Sequence, residues 1–296
     1  MGKLLLYGMH FIVIAFILRI VDFVFTLKII NICSIIFYMG VGLVLLNFIF
    51  SLIFRYKRTI MVKPLKDEKI CVALTAYNDE LSIGEAVKDF RKIPFVNEVL
   101  VVDNNCKDRT VEFAQKAGAT IVVEEVQGYG AACMRGLREA SKRGDIIVLT
   151  EGDGTFSARD LNKFISYLEN ADMVVGTRTT RELSSADCQM SWFIQYGNLF
   201  MAKLIQLVYF DTRLTDIGCT YRIIRKEALD KIIGQLKVTS NHFSCEMILM
   251  ALKNKLKVIE IPITFKKRVG ESKGVGGNMW RGLKTGLRMW WLVLRI

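Results

Sequence analysis

The 296-residue sequence lacks the residue patterns that build zinc sites and disulfide frameworks. It contains two histidines, His10 and His242, and neither lies in a metal-binding or catalytic motif. Its seven cysteines are scattered, odd in number and include no C-x-x-C pair. These patterns argue against a structural zinc site and a disulfide framework, and they predict reduced, mostly structural thiols.

Charged residues are nearly absent from two stretches near the N-terminus. Residues 4–18 carry no charge, the apolar character resumes after Arg19 and Asp22, and residues 29–54 form a second uncharged run. Because roughly 20 apolar residues cross a bilayer, we predict a two-helix transmembrane hairpin over residues 1–56. Arg19 and Asp22 are three positions apart and can neutralise each other on one helix face. A signal peptide is less favoured, since a second apolar run follows and a small-x-small cleavage site does not.

Basic residues are scarce in the link between these two runs, where only Lys28 occurs, and abundant after the second run. The residues that crowd that exit are Arg55, Lys57, Arg58, Lys63, Lys66 and Lys69. Short cytoplasmic flanks carry the excess of lysine and arginine in membrane proteins. Residues 57–273 are therefore predicted to form a cytoplasmic domain.

The net charge of +12 raises the question of nucleic acid, but the basic residues gather beside the two runs and at the C-terminus. There, apolar residues at 3,4,3,4 spacing alternate with cations: Trp280, Leu283, Leu287, Trp290 and Leu294, beside Arg281, Lys284, Arg288 and Arg295. This pattern is typical of an amphipathic helix at an anionic membrane surface. We assign it to residues 274–296 and expect no nucleic-acid partner. The alternative is a helix packed on the core of its own domain.

Between these membrane elements, β-branched runs alternate with segments of helical periodicity. The runs are ICVALT (70–75), EVLVVD (98–103), TIVVEE (120–125), IIVLT (146–150) and DMVVGT (172–177). Such alternation predicts an α/β domain with a mostly parallel sheet and helices on both faces. Ligands of these sheets bind beyond the carboxyl ends of the strands.

Polar residues follow four of the predicted strands at their carboxyl ends. They are Tyr77, Asn78 and Glu80 after the first strand, Asp103 after the second, Glu151 and Asp153 after the fourth, and Arg178 after the fifth. In the stretch VLTEGDGTF, the two carboxylates are one residue apart, so they point the same way from an extended segment. Like charges so placed need a cation.

Seven ordered motifs in residues 69–273 resemble the cytoplasmic family 2 glycosyltransferases that attach one sugar to a polyprenyl phosphate, the group that contains dolichol-phosphate mannose synthase. The motifs are AYNDELSIGEAV, VVDNNCKDRT, QGYGAACMRGL, LTEGDGTF, VGTR, LTDIGCTYRIIRKEAL and RVGESK. The sequences DNN, GYGAAC, EGDGTF and TDIGCTYR are most similar to those of polyprenyl-phosphate N-acetylhexosaminyl synthases of the mycobacterial type.

The resemblance implies a GT-A nucleotide-sugar-binding fold and inversion at the anomeric carbon. It implies that the nucleotide sugar is held by Ala76, Tyr77, Asn78, Glu80, Asp103, Glu151, Asp153, Arg268 and Lys273. Glu151 and Asp153 match the family's D-x-D and should bind Mg²⁺ or Mn²⁺, hard cations that prefer carboxylate oxygens. Arg268 and Lys273 would close over the donor diphosphate. Asp216 matches the family aspartate cast as catalytic base, and positioning of the sugar or of Arg222 would serve as well.

Three positions depart from the family pattern. Glu151 replaces the first aspartate of D-x-D, and Thr155 replaces a glutamine ligand. The arginine expected near Asn198 is absent, because Ser191 or Gln195 occupies the matching region. Binding of the acceptor phosphate is therefore assigned to Arg178 and Gln195, since a guanidinium pairs with two phosphate oxygens.

Two further polar features have less specific meanings. Glu246 is expected to be a buried partner of a basic residue such as Arg222. The segment GYG at residues 128–130 resembles a dinucleotide fingerprint only superficially, because it reads G-x-G-x-x-C and follows the third strand.

The sequence thus predicts an enzyme that transfers one sugar from a nucleotide diphosphate sugar to a polyprenyl or dolichyl phosphate in the membrane. The favoured donor is a UDP-N-acetylhexosamine. GDP-mannose and UDP-glucose are alternative donors. A processive polysaccharide synthase is disfavoured, since Q-x-x-R-W and a multi-span C-terminal channel are absent. The alternative of another class is a catalytically inactive membrane adaptor on a transferase fold. Homo-oligomerisation is left open.

Overall fold

The computed structural model describes residues 2–25, 29–53, 60–188, 191–209, 212–270 and 279–296, without the side chains of residues 2, 3, 51–53 and 279. The chain divides into two compact units. One comprises Met1–Thr59 and Leu204–Asp211, and the other comprises Ile60–Lys203 and Thr212–Ile296.

The first unit contains two long apolar helices, α1 (Gly2–Phe25) and α2 (Ile30–Ile53), which pack against each other. The helices meet closely at two glycines, because a Cβ added to Gly8 would lie 2.6 Å from the carbonyl oxygen of Gly40. Spans of 22 residues in α1 and 21 residues in α2 are long and apolar enough to cross a membrane. The predicted pairing of Arg19 with Asp22 is confirmed, with 3.6 Å between Nη1 and Oδ2.

The second unit is built on a mixed sheet. Its strands are β1 (Ile70–Ala76), β2 (Val96–Asp103), β3 (Thr120–Val123), β4 (Ile146–Glu151), β5 (Met173–Thr177), β6 (Arg222–Arg225) and β7 (Val258–Pro262). Their order in the sheet is β3-β2-β1-β4-β6-β5-β7. The pairs β1 with β2, β2 with β3, β1 with β4 and β5 with β7 are parallel, and only β6 runs antiparallel to its neighbours. The predicted α/β class with a mostly parallel sheet is confirmed.

Helices cover this sheet and extend from it. They are α3 (Ile83–Arg91), α4 (Thr110–Lys116), α5 (Tyr129–Ser141), α6 (Leu161–Leu168), α7 (Trp192–Tyr209), α8 (Lys226–Ile232), α9 (Phe243–Lys253) and α10 (Met279–Arg295). The last residues of α7 belong to the first unit. The strands β1 and β4 are almost wholly buried, as expected for parallel strands covered on both faces.

The strand directions bring the site residues together. Since β1, β2, β4 and β5 run the same way, their carboxyl ends lie at one edge of the sheet. Thr75 of β1 pairs with Glu151 of β4, and Ala76 pairs with Asp103 of β2. Because β6 is reversed, the residues that precede it, including Asp216, reach the same edge.

The C-terminal helix α10 has two faces. Met289 and Val293 are buried, whereas Trp280, Leu283, Leu287 and Trp291 are exposed. The five apolar residues that the sequence placed on one stripe are divided, because the ring of Trp290 stacks on Phe200 of α7 at 6.1 Å between centroids. The helix therefore packs on its own domain and still presents Trp280 and Trp291 outward, beside its cations. Contact of that outer face with a membrane stays a prediction.

Candidate active site

A cavity of about 660 Å³ opens at the carboxyl edge of the sheet and is lined by two chemically different sets of residues, which we call its charged end and its apolar end. The charged end is lined by Asp79, Glu151, Asp153, Arg178 and Arg268. The apolar end is lined by Phe193, Phe200 and Met201 of α7 and by Leu283, Leu287 and Trp290 of α10. One ligand, or two ligands that meet, can therefore place charge at one end and hydrocarbon at the other.

Asp153 occupies the turn after β4 and is 1% exposed. Its Oδ1 accepts hydrogen bonds from the backbone N–H of Thr155 at 3.0 Å and from the Thr155 hydroxyl at 2.6 Å. Its Oδ2 lies 3.4 Å from Nη2 of Arg268. Thr155, which stands where the resemblance expects a glutamine ligand, thus orients Asp153 and leaves Oδ2 toward the cavity.

Glu151 ends β4, and its Oε1 accepts a hydrogen bond from the hydroxyl of Thr220. Burial and the negative charge of Asp153 raise the pKa of the Glu151 carboxyl. A second positive charge beside these carboxylates would relieve this repulsion, so the pair fits a divalent cation. Among the described residues no group of three or more histidine, cysteine, aspartate or glutamate side chains could hold a metal ion, so substrate or water oxygens would complete the coordination of a cation held by this pair.

Arg268 lies between two carboxylates, with Nη2 at 3.5 Å from Oδ1 of Asp79 and 3.4 Å from Oδ2 of Asp153. Its Nε is buried and has no hydrogen-bond partner in the part of the chain that the structure describes. A buried donor without a partner is costly, and an anionic ligand at the charged end of the cavity would satisfy it. Lys273, predicted to act beside Arg268, lies outside the described residues.

Arg178 and Asp216 form a two-pronged ion pair at the end of β5. The Nε of Arg178 donates to Oδ2 at 2.7 Å, and its Nη2 donates to Oδ1 at 2.9 Å. Asp216 is 1% exposed and also accepts from Nδ2 of Asn198 at 3.2 Å and from the N–H of Gly218 at 3.1 Å. Burial alone would raise the pKa of Asp216, but the charge and hydrogen bonds of Arg178 hold it below its ordinary value.

The ion pair leaves part of the Arg178 guanidinium for a ligand. Of its five N–H bonds, two point at Asp216, and the other three, two on Nη1 and one on Nη2, have no hydrogen-bond partner among the described residues. Arg178 lines the large cavity and also a smaller one of about 220 Å³, which Gln195 and Arg181 line as well. Of the two residues assigned to the acceptor phosphate, both line the smaller cavity and Arg178 alone also lines the large one.

The remaining residues assigned to the nucleotide sugar divide into two groups. Ala76 and Tyr77 line the large cavity. Asn78, Glu80 and Asp103 instead support the loop between β2 and α4, by accepting from the backbone N–H groups of Lys107 at 2.6 Å, Arg109 at 3.0 Å and Cys106 at 2.8 Å. These three side chains position the loop that flanks the cavity.

Several cavity residues were not singled out from the sequence. Asp79 accepts from the N–H of Tyr77 and pairs with Arg268. Asn104 accepts from the N–H of Gly128 at 2.9 Å and donates to the carbonyls of Glu124 and Val126. Asn104 directly follows β2 and Asp79 lies three residues after β1, so the same rule that selected their neighbours could have found them.

The expected partnership of Glu246 with Arg222 is wrong. The Glu246 carboxylate accepts from the backbone N–H groups of Lys237 and Val238. Arg222 is 1% exposed and donates to the backbone carbonyls of Thr220, Ser244 and Cys219. Backbone groups satisfy both charges, a possibility that residue types alone do not reveal.

Comparisons with known proteins show which proteins this chain is similar to. The family model described as glycosyl transferase family 2 matches residues 71–233. The chain is 28% identical over 208 residues to the dolichyl-phosphate hexose transferase of Haloferax volcanii, covering 70% of this chain and 86% of that one. It is 27% identical over 229 residues to the undecaprenyl-phosphate mannosyltransferase of Micrococcus luteus, covering 71% and 88%.

A solved structure resembles the fold at low sequence identity. It is glucosyl-3-phosphoglycerate synthase from Mycobacterium tuberculosis in complex with Mn²⁺, uridine diphosphate and glucosyl-3-phosphoglycerate. The TM-score is 0.59 at 15% identity, over 77% of this chain and 79% of that one.

Proposed function

Because this chain belongs to glycosyl transferase family 2, we propose that it transfers one sugar, with inversion, from a nucleotide diphosphate sugar to a polyprenyl or dolichyl phosphate. Its mixed, mostly parallel sheet is the GT-A fold, as predicted. The observation that carries the proposal is the cavity with a charged end and an apolar end. The names of the Haloferax and Micrococcus relatives support a lipid phosphate as acceptor.

The charged end suits the donor diphosphate. Glu151 and Asp153 would hold Mg²⁺ or Mn²⁺, which would neutralise charge on the leaving nucleoside diphosphate. Arg268, whose Nε has no partner in the described part of the chain, would bind a diphosphate oxygen from the other side. Tyr77, 38% exposed at the end of β1, would contact the nucleoside.

The acceptor phosphate would lie against the free edge of Arg178. One of its oxygens attacks the anomeric carbon from the face opposite the leaving group, so the new C–O bond forms as the bond to the diphosphate oxygen breaks. A phosphate monoester has a second pKa of about 6 and is mostly ionised at neutral pH, so a general base is not needed. We therefore give Asp216 the task of positioning Arg178, since Arg178, Asn198 and Gly218 already occupy both its oxygens.

The prenyl chain would extend from Arg178 along the apolar end of the cavity, between α7 and α10. This end is lined by phenylalanine, leucine, methionine and tryptophan side chains, which match a branched hydrocarbon. In the membrane, the hairpin would span the bilayer with the catalytic unit on the cytoplasmic side, and α10 would lie at the surface.

The identity of the donor sugar is the most specific part of the proposed function. We propose a UDP-linked N-acetylhexosamine on the similarity of DNN, GYGAAC, EGDGTF and TDIGCTYR to N-acetylhexosaminyl synthases. Incubation of the purified protein with that donor, GDP-mannose and UDP-glucose in turn, with a short polyprenyl phosphate, would test it by the mass of the lipid product. We expect one added N-acetylhexosamine. A single hexose would correct the donor alone, and a ladder of products would contradict single transfer.

An inactive adaptor on a transferase fold is the competing hypothesis, and the glutamate at position 151 favours it. Calorimetric titration with UDP and GDP, with Mn²⁺ and with a chelator, separates the two. An enzyme of the proposed kind binds one of the nucleotides in a metal-dependent way. Absence of nucleotide binding with Mn²⁺ would favour the adaptor.

The outer face of α10 gives a prediction about the membrane. In vesicles that contain anionic brominated lipids, the double change Trp280→Phe and Trp291→Phe should remove much of the lipid quenching of tryptophan fluorescence, because both rings are exposed, at 78% and 65%. Trp290→Phe is the matched control, since its ring stacks on Phe200. Unchanged quenching in the double variant would show that this face does not contact the bilayer.

A further inference from the structure

The segment Gly128–Tyr129–Gly130 opens α5 and docks it on the loop before α9. A Cβ added to Gly130 would lie 2.2 Å from the carbonyl oxygen of Val238, and one added to Gly128 would lie 2.4 Å from that of Thr239. The carbonyl of Thr239 accepts from the N–H groups of Gly130 at 2.9 Å and Ala131 at 3.2 Å. A backbone carbonyl of the protein itself thus accepts from the N-terminus of α5, and the two glycines permit this close approach.

This docking fixes the direction of the Tyr129 side chain. Its hydroxyl contacts the hydroxyl of Thr220 and lies 3.1 Å from Oγ of Ser244. Thr220 and Ser244 are each 1% exposed. The three hydroxyls come from α5, from the loop before β6 and from α9, so only the fold brings these three hydroxyl groups together.

The direction of these hydrogen bonds follows from the proton count. Thr220 donates its single hydroxyl proton to Oε1 of Glu151, so it must accept from Tyr129. Tyr129 has then spent its proton and accepts from Ser244. All three protons point toward the carboxylate, and hydrogen bonds aligned in this way polarise and strengthen one another.

A glutamate at this position needs such support. Its side chain has one more rotatable bond than the aspartate of D-x-D, so its carboxylate is less well fixed by the backbone alone. Oε1 is held by Thr220, and the Glu151 side chain lines the cavity together with Asp153.

We propose that Tyr129, Thr220 and Ser244 are positioning residues that fix the Glu151 carboxylate for a divalent cation. The docked GYG segment sets the direction of the Tyr129 side chain. This inference rests on the proposed function, because the cation acts there on the donor diphosphate. It also gives the GYG segment a role that its superficial likeness to a dinucleotide fingerprint does not.

The test is Mn²⁺ affinity in the presence of the nucleoside diphosphate that binds, UDP or GDP, measured by electron paramagnetic resonance of free Mn²⁺. Thr220→Val, which keeps the shape and removes the hydroxyl, should weaken Mn²⁺ binding by about tenfold, the effect of one hydrogen bond to a charged group. Thr220→Ser should restore most of it. Tyr129→Phe should weaken it severalfold, because Thr220 loses its donor.

Tyr221→Phe is the matched control. Tyr221 is fully buried next to Thr220, and its hydroxyl has no hydrogen-bond partner among the described residues, so its removal should leave Mn²⁺ affinity unchanged. Wild-type Mn²⁺ affinity in Thr220→Val and Tyr129→Phe, or an equal loss in Tyr221→Phe, would overturn the inference and leave the proposed function standing. Absence of Mn²⁺-dependent nucleotide binding in the wild type would overturn both.

Discussion

Replacing Asp153 with asparagine is expected to slow sugar transfer by on the order of a hundredfold or more, with the fold intact. Asparagine has the same shape, and its side-chain oxygen can still accept from Thr155. It lacks the charge on the oxygen that faces the cavity and Arg268. Steady-state rates at saturating donor would measure the loss of activity, an Mn²⁺ titration would measure the loss of metal affinity, and a melting curve would show whether the fold is intact.

Two further variants separate the metal from the electrostatics of Arg268. Asp79→Asn removes the other carboxylate beside Arg268, so it should change donor affinity without changing the Mn²⁺ requirement. Glu151→Gln should slow transfer less than Asp153→Asn if Glu151 reaches the cation through water. Near-wild-type rates for both Asp153→Asn and Glu151→Gln would refute the assignment of the metal site.

The strands that carry the charged end were predictable from the sequence because parallel strands are buried on both faces. Such strands read as short β-branched runs, and β1 and β4 begin where those runs begin. The two strands that the sequence did not mark are β6 and β7. The four residues of β6 are all buried, and two of them are arginines, Arg222 and Arg225. A buried arginine breaks the apolar pattern on which strand prediction depends.

The site was predictable to the extent that it follows strand ends. Glu151, Asp153 and Arg178 could be placed in one cavity by that rule. The support of these residues could not, because it comes from distant segments: Thr220 lies 69 residues after Glu151 in the chain, and Asp216 lies 38 after Arg178. Contacts between residues so far apart in the sequence form because β6 lies between β4 and β5 in the sheet. A local sequence pattern does not contain this information.

The C-terminal helix shows the same limit in another way. Its 3,4,3,4 spacing correctly predicts a helix, and α10 forms over Met279–Arg295. The spacing does not determine which apolar face packs inward, because Met289 and Val293 also recur at helical spacing. Leu283, Leu287 and Trp290 line the cavity, so removal of α10 would open the proposed acceptor groove. It would also remove any contact of α10 with the membrane.

Arg178→Lys is expected to raise the apparent KM for the polyprenyl phosphate by about tenfold or more while the KM for the nucleotide sugar stays nearly unchanged. Lysine keeps the charge but has one nitrogen, so it cannot pair with both oxygens of Asp216 and also present two N–H groups to a phosphate. A short, water-soluble acceptor phosphate should show the same loss, because the defect concerns the phosphate and not the tail. Steady-state titration of each substrate would measure both constants.

Arg181→Lys is the control for this prediction, because Arg181 lines the same small cavity without contacting Asp216 in the described structure. It should change acceptor use much less than Arg178→Lys, since the geometry that matters is the guanidinium held edge-on by Asp216. Asp216→Asn should then resemble Arg178→Lys, by loosening that hold, and its rate should keep the pH dependence of the wild type if Asp216 is not the base. Weakened donor binding in Arg178→Lys with acceptor binding untouched would place the acceptor phosphate elsewhere.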